Sequence, residues 1–192
     1  MKVLIDNGHG AETPGKRSPD GRLLEWEFNR RLARAIAARL SAEGIENELI
    51  VPEESDISLA ERCARANARC AGRADCVLLS IHANAAGTSG WHEASGWCAF
   101  AAPRASEASR RLAARLVAAA AARGLRGNRA VPPQGFWTAS LAICRDTRCP
   151  AVLTENMFMD NRSDLDFLLS DGAVDILADL HAEVLRDYSR TL

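Results

Sequence analysis

The chain has 192 residues, 47% hydrophobic and 26% charged, which suits one globular domain with a sizeable core. A formal net charge of −1 gives no reason to expect nucleic acid or an anionic membrane surface as partner. No apolar run approaches the ~20 residues needed to span a bilayer, so membrane insertion is not expected.

The N-terminus carries one lysine and then only Val3, Leu4 and Ile5 before Asp6, far too short for a secretion signal. Synthesis in the cytoplasm without an export signal of its own is the expectation. Residues 2–6 predict a first strand, followed by Asp6-Asn7-Gly8-His9-Gly10, where glycines on either side of His9 permit a sharp turn close to a ligand. Residues 11–21, with Pro14, Gly15, Pro19 and Gly21, form a loop by turn chemistry.

Residues 24–42 predict a long helix with Phe28, Leu32, Ile36 and Leu40 on one row and Gly44 as its stop. Glu25 falls on that apolar face, whereas Glu27 falls on the solvated one. A carboxylate aimed at a core is costly unless it is paired or holds a metal. Glu25 is therefore either a ligand or an ordinary first-turn acid favoured by the helix dipole. Arg39 lies near the same face and is expected to snorkel.

Residues 45–51 predict a second strand, and Ser58-Leu59-Ala60-Glu61 is a capping-box pattern opening a helix to about Cys70. Cys76–Asn84 is the stretch around which the chain is organised. Cys76 to Leu79 is apolar without alternation, as in a strand covered on both faces, and His82 follows at the carboxyl end. Residues 85–96 read as a loop holding Trp91 and His92, the latter a loop histidine rather than a third imidazole ligand. Residues 97–101 predict a strand, and Trp97 is a candidate for contact with substrate, as is Asn84.

Residues 106–123 predict an alanine-rich helix, and 125–136 a long irregular loop of the kind that tends to be functional. Residues 140–144 predict a strand and 147–150 a turn. Residues 151–155 predict a central strand ending at Glu155. Ser163 is expected to cap a short helix through Leu169, and residues 173–188 form the closing helix, with His181 structural or at the surface. No internal repeat or linker interrupts residues 1–192, so one domain is expected.

Cysteines 63, 70, 76, 98, 144 and 149 show no CxxC spacing, so neither a cysteine zinc site nor a thioredoxin motif is indicated, and six reduced, mostly buried thiols are expected. Cys144 and Cys149 come nearest to a plausible bridge.

Three buried runs thus each deliver one metal-competent or acid–base side chain, His9, His82 and Glu155, to what should be the same sheet edge. Two histidines and a glutamate are a known zinc set that leaves a position for water. A carboxylate in the place of Glu155 serves as a histidine partner or as a general base.

At this point the motifs are recognisable. Ile5-Asp-Asn-Gly-His9-Gly, Glu25 with Asn29, Ser80-Ile-His82-Ala-Asn84 and Glu155-Asn-Met-Phe158-Met-Asp-Asn161 together resemble the zinc-dependent N-acetylmuramoyl-L-alanine amidases of the type-3 amidase family. The resemblance runs from Val3 to about Tyr188. It implies an α/β fold: a three-layer domain with a twisted, mixed, mainly parallel sheet of about six strands flanked by helices. It implies one zinc ion on His9, Glu25 and His82, with Glu155 as the catalytic glutamate. It implies peptidoglycan as the substrate, cut between the lactyl group of N-acetylmuramic acid and L-alanine of the stem peptide.

Asn7 departs from the family's usual proline, and residues 136–144 are less typical. With neither a wall-binding repeat nor a signal peptide, the chain is similar to phage endolysins, which act on the wall after release by a holin-type, pore-forming partner. The rival expectations are a zinc peptidase or deacetylase acting on another amide, and a non-catalytic wall-binding module of the same fold.

Overall fold

Side chains of successive strand residues point to opposite faces, and the apolar runs divide accordingly. In a computed structural model that describes residues 1–191, Val3, Ile5, Val77, Leu79, Ile81 and Val152 enter one core. Leu4, Cys76, Leu78, Ala151 and Leu153 enter a second core on the other side of the same sheet. A strand must be apolar on both faces to do this, which is why these runs lack polar alternation. Leu192, the last residue of the span expected as one domain, lies outside the described residues.

The sheet has six strands in the order β2-β1-β3-β6-β4-β5: β1 (Lys2–Asn7), β2 (Glu46–Leu49), β3 (Cys76–Asn84), β4 (Cys98–Ala101), β5 (Trp137–Thr138) and β6 (Ala151–Phe158). β1 pairs in parallel with both β2 and β3, β3 with β6, and β4 with β5; β4 runs antiparallel to β6. The expected mixed, mainly parallel α/β sheet is therefore present.

Helices α1 (Glu25–Ala42), α3 (Glu107–Ala122), α5 (Arg162–Leu168) and α6 (Ala173–Ser189) supply the first core. Helices α2 (Leu59–Arg69) and α4 (Ala142–Arg145) supply the second. Phe28, Leu32, Ile36 and Leu40 are buried on α1 as their spacing requires. Arg39 does more than snorkel, since its guanidinium pairs with Asp175 and Asp179 of α6. Ser58 caps α2 by accepting from the Glu61 amide. Asn161, rather than Ser163, caps α5 through Oδ1 to the Asp164 amide.

Two further expectations are corrected. Residues 140–144 do not form a strand: Leu141 precedes the single-turn α4, and the sixth strand is the two-residue β5 beside β4. A short apolar run does not by itself distinguish a buried strand from a buried helical turn. Nor are all six thiols free. Cys70 and Cys76 are joined as a disulfide with Cα atoms 5.7 Å apart, while Cys144 and Cys149 remain unpaired.

No helix among the described residues is long and apolar enough to cross a membrane.

Candidate active site

The carboxyl ends of the parallel strands β1, β3 and β6 meet at one edge, where polar side chains gather, although β6 runs on to Phe158 rather than ending at Glu155 as expected. His9 follows β1, His82 stands near the end of β3, and Glu155 lies directly across from His82 on β6 in the strand register. Glu25 arrives from the first turn of α1 and is almost wholly buried, at 1% exposure. Its Oε1 lies 3.1 Å from His82 Nδ1 and 3.3 Å from His9 Nε2. The two imidazoles stand perpendicular with ring centroids 4.9 Å apart. Ligand atoms of His9, Glu25 and His82 all lie within 4.8 Å of one another.

The local backbone explains how His9 gets there. It has φ 65°, a left-handed conformation that costs a residue with a Cβ about 1–3 kcal/mol. Two buried guanidiniums hold it: Arg62 Nη2 and Arg30 Nη1 donate to the His9 carbonyl at 3.0 and 3.1 Å. Arg62 also donates to Asp6 Oδ1 at 2.7 Å and to the Asn7 carbonyl at 2.8 Å. The second oxygen of Asp6 accepts from Ser80 on the neighbouring strand at 2.6 Å. On either side of His9, Gly8 lies against the His82 ring and Gly10 against the backbone of Ser55 and Asp56, with no room for a Cβ at either.

His82 is positioned from its backbone as well. Asn156 Nδ2 donates to the His82 carbonyl at 2.9 Å, and Trp97 Nε1 donates to Asn156 Oδ1 at 2.8 Å. Between His82 and Asn84 the pairing with β6 shifts register, and Met157 opposite takes φ 69°. This bulge turns the end of β6 while the Phe158 and Gly96 amides both donate to the buried Asp164 carboxylate, at 2.8 and 2.7 Å.

The electrostatics separate the two glutamates. Burial pushes Glu25 upward, but hydrogen bonds from His82 and His9 outweigh it and hold the carboxyl well below the ordinary range. Glu155 has no such bonds, and burial, aided by the negative charge of Glu25, pushes it up to about 7 against the opposing pull of His82, Lys16 and Arg129. For His82, burial opposes the charged form, yet the Glu25 hydrogen bond and nearby carboxylates raise its pKa overall.

At this site two buried carboxylate oxygens, Glu25 Oε2 and Glu155 Oε2, have no hydrogen-bond partner among the described residues; elsewhere Asp160 Oδ1 is a third. Buried polar atoms without partners are uncommon and point to a missing donor or ion. Two imidazoles and one carboxylate converging beside an orphaned oxygen fit a borderline cation such as zinc in chemistry and in number. His9, His82 and Glu155 front a cleft of about 430 Å³ that Lys16, Ser58, Arg62 and Ile143 also line, with Glu25 buried behind the imidazoles.

The sequence-based candidates do not all reach this cleft. Trp97 is 1% exposed in the first core, tilted against His181, and its indole serves Asn156 rather than a substrate. Asn84 turns its Oδ1 to the Ala85 amide at 2.9 Å and does not line the cleft. His92 bonds to the Ser89 carbonyl, outside the cluster, and His181 is buried as a structural residue. Arg62, Asp6 and Asn156 were missed. Arg62 shares an apolar helix face with Ala66, and that was the signal available for it.

A family model described as N-acetylmuramoyl-L-alanine amidase matches residues 3–187. The chain is 31% identical over 162 residues to the N-acetylmuramoyl-L-alanine amidase LytC of Bacillus subtilis (strain 168), covering 84% of this chain and 30% of that protein. It is 27% identical over 183 residues to the endolysin of Bacillus phage SPP1, covering 94% and 63%. It thus spans less than two thirds of either relative. Among solved structures, the N-acetylmuramoyl-L-alanine amidase from Clostridium difficile 630 superposes with a TM-score of 0.86 at 24% identity, over 100% of this chain and 97% of that one.

Proposed function

This chain belongs to the N-acetylmuramoyl-L-alanine amidase family, and on that premise we propose that it hydrolyses the amide between the lactyl group of N-acetylmuramic acid and L-alanine of the peptidoglycan stem peptide. The observation that carries the reading is the convergence of His9, Glu25 and His82 beside a glutamate, Glu155, whose outer oxygen has no partner. We propose that His9, Glu25 and His82 hold one zinc ion. When bound, zinc supplies Lewis-acid chemistry, polarising a carbonyl and acidifying water.

Glu155 faces the same cleft with a carboxyl free of hydrogen-bond donors, suited to accept the proton of the attacking water. The water oxygen bonds to the lactyl carbonyl carbon, the carbon–nitrogen bond breaks, and Glu155 returns the proton to the alanine nitrogen. Glu25, held ionised by the two imidazoles, stays a carboxylate throughout. Arg62 and Arg30 keep His9 in its strained conformation, so that the donors are already placed when substrate arrives.

The likeness to a phage endolysin supports action on the cell wall after release, with a pore-forming partner as the means of crossing the membrane. Residues 1–192 are proposed to act as one catalytic unit.

Digestion of purified peptidoglycan tests the reading. New L-alanine amino termini with the glycan uncut are expected. Cleavage within the stem peptide, free acetate, or binding without products would each replace the amidase by the corresponding rival.

A further inference from the structure

A second group of ligand-competent side chains lies at the opposite edge of the sheet. Cys70 ends α2, Cys76 opens β3, and Cys149 stands just before β6. Their sulfur atoms all lie within 4.8 Å of one another. Cys76 precedes His82 by six residues of one strand, so the two groups are about 20 Å apart at ~3.3 Å per residue.

The third sulfur is held in place deliberately. Asn67 on α2 donates through Nδ2 to the Asp146 carbonyl at 3.0 Å and accepts from the Arg148 amide at 2.7 Å. This clamps the segment carrying Cys149 to the last turns of α2. The Pro150 carbonyl accepts from Leu78 at 2.8 Å, tying the same segment to β3. On the other side, the Arg73 amide donates to the Cys70 carbonyl at 3.1 Å and the Lys2 amide to the Asp75 carbonyl at 2.8 Å. All three cysteines are therefore anchored by backbone contacts independent of the Cys70–Cys76 bond.

A disulfide needs two sulfurs, and a third beside it adds nothing to a structural cross-link. Three sulfurs at mutual short range suit a thiophilic cation. With metal–sulfur bonds of about 2.3 Å, tetrahedral geometry puts sulfurs about 3.8 Å apart. The Cα separation of 5.7 Å between Cys70 and Cys76 serves either arrangement. Cys149 also lines a cleft of about 620 Å³ formed with Pro103, Ser140 and Arg148, so the third sulfur of the group borders an open cleft.

We propose that Cys70, Cys76 and Cys149 form a second metal site, taking one thiophilic divalent cation such as zinc when reduced and closing to the Cys70–Cys76 disulfide when oxidised. A dithiol reductant converts the disulfide to two thiols and itself becomes a disulfide. The cation then displaces three thiol protons and leaves a complex of net charge −1. The proposal is independent of the amidase reading.

Cadmium is the probe, because sulfur-to-metal charge-transfer absorption reports thiolate ligands and is silent for a histidine–glutamate set. The full chain is reduced, freed of reductant and titrated anaerobically with cadmium, beside the oxidised protein and reduced Cys149→Ser. The expected result is a band saturating at one cadmium per reduced chain and no band from oxidised protein. Affinity should fall at least about 100-fold in Cys149→Ser, since loss of even an outer-shell partner costs about 10–100-fold. Unchanged circular dichroism and peptidoglycan digestion by Cys149→Ser would separate a lost ligand from a lost fold. No band from the reduced chain would overturn the proposal, as would the same band and affinity in Cys149→Ser. Recovery of a Cys149 disulfide without cadmium uptake would overturn it too, making the cluster a thiol-exchange site.

Discussion

Gly8 has a negative φ and no conformational need to be glycine, yet a single methyl group there should disable the site. A Cβ built on its backbone lies 2.5 Å from His82 Nδ1 and nearer still to Cε1 and Nε2, where ordinary contact begins at 3.4 Å. The imidazole of Gly8→Ala must therefore retreat by roughly 1 Å or more. The Gly8 backbone is pinned, its amide donating to the Ile81 carbonyl at 2.9 Å and its carbonyl accepting from Asn29. The ring has to move instead of the loop.

Metal and catalytic constellations tolerate only about 0.5 Å of misplacement, and a 1 Å error costs on the order of 100-fold in rate. Overpacking of this kind also costs about 1–3 kcal/mol of stability. The variant should fold, bind zinc at least about 10-fold more weakly, and lose on the order of 100-fold in kcat/KM. Thermal denaturation, metal titration with a competing chelator and release of L-alanine termini read the three effects. A folded Gly8→Ala with undiminished zinc affinity and turnover would refute the claim that His82 is held against the Gly8 backbone as a ligand.

Arg62→Ala should be strongly destabilising. It strands the buried Asp6 carboxylate and frees the His9 carbonyl, and breaking a buried pair by removing one partner costs about 3–5 kcal/mol. At about 2–4 °C per kcal/mol for a chain of this size, Tm should fall by roughly 6–20 °C; a drop under about 2 °C would contradict the assignment. His181 yields a pH prediction. Burial lowers its pKa from the ordinary 6.5 to about 4, with its ring between the Leu177 carbonyl and Thr154 Oγ1. Between pH 6.5 and 4 the unfolded chain binds a proton that the folded chain refuses, so stability is lost as pH falls through that window, in total on the order of 3 kcal/mol. Above it the contribution is flat. His181→Gln should show a shallower loss of denaturation free energy between pH 6.5 and 5, and parallel curves would contradict the buried neutral imidazole.

The site was legible where chemistry is written into strand periodicity. His9, His82 and Glu155 each follow an apolar run, and parallel strands bring their carboxyl ends to one edge without further information. Glu25 was legible as a misfit on an apolar helix face, with its two explanations open; its contact with both imidazoles decides that it belongs to the cluster. Trp97 was misplaced because an aromatic at a strand start can turn to either face, and only the tertiary contact of its indole with Asn156 shows that it turns into the core. The Cys70–Cys76 pair was hidden because it depends on how the chain turns at Gly72 between helix and strand, a matter of tertiary position rather than spacing. Residues 140–144 failed for want of length: five residues carry too little periodicity to separate one helical turn from a strand. Arg62 and Asn156 act on backbone carbonyls far away in sequence, and no local pattern announces such contacts.

The central claim is that three side chains hold the metal while a fourth moves the proton. Glu155→Gln separates the two roles, because it removes the base and leaves His9, Glu25 and His82 untouched. Zinc content and release of L-alanine termini from peptidoglycan should be measured together on this variant and the unaltered chain. The account predicts about one zinc in both, with turnover reduced by on the order of 100-fold or more in the variant. Near-normal turnover by Glu155→Gln would contradict the assignment of the base, and absence of zinc from the unaltered chain would contradict the metal centre itself.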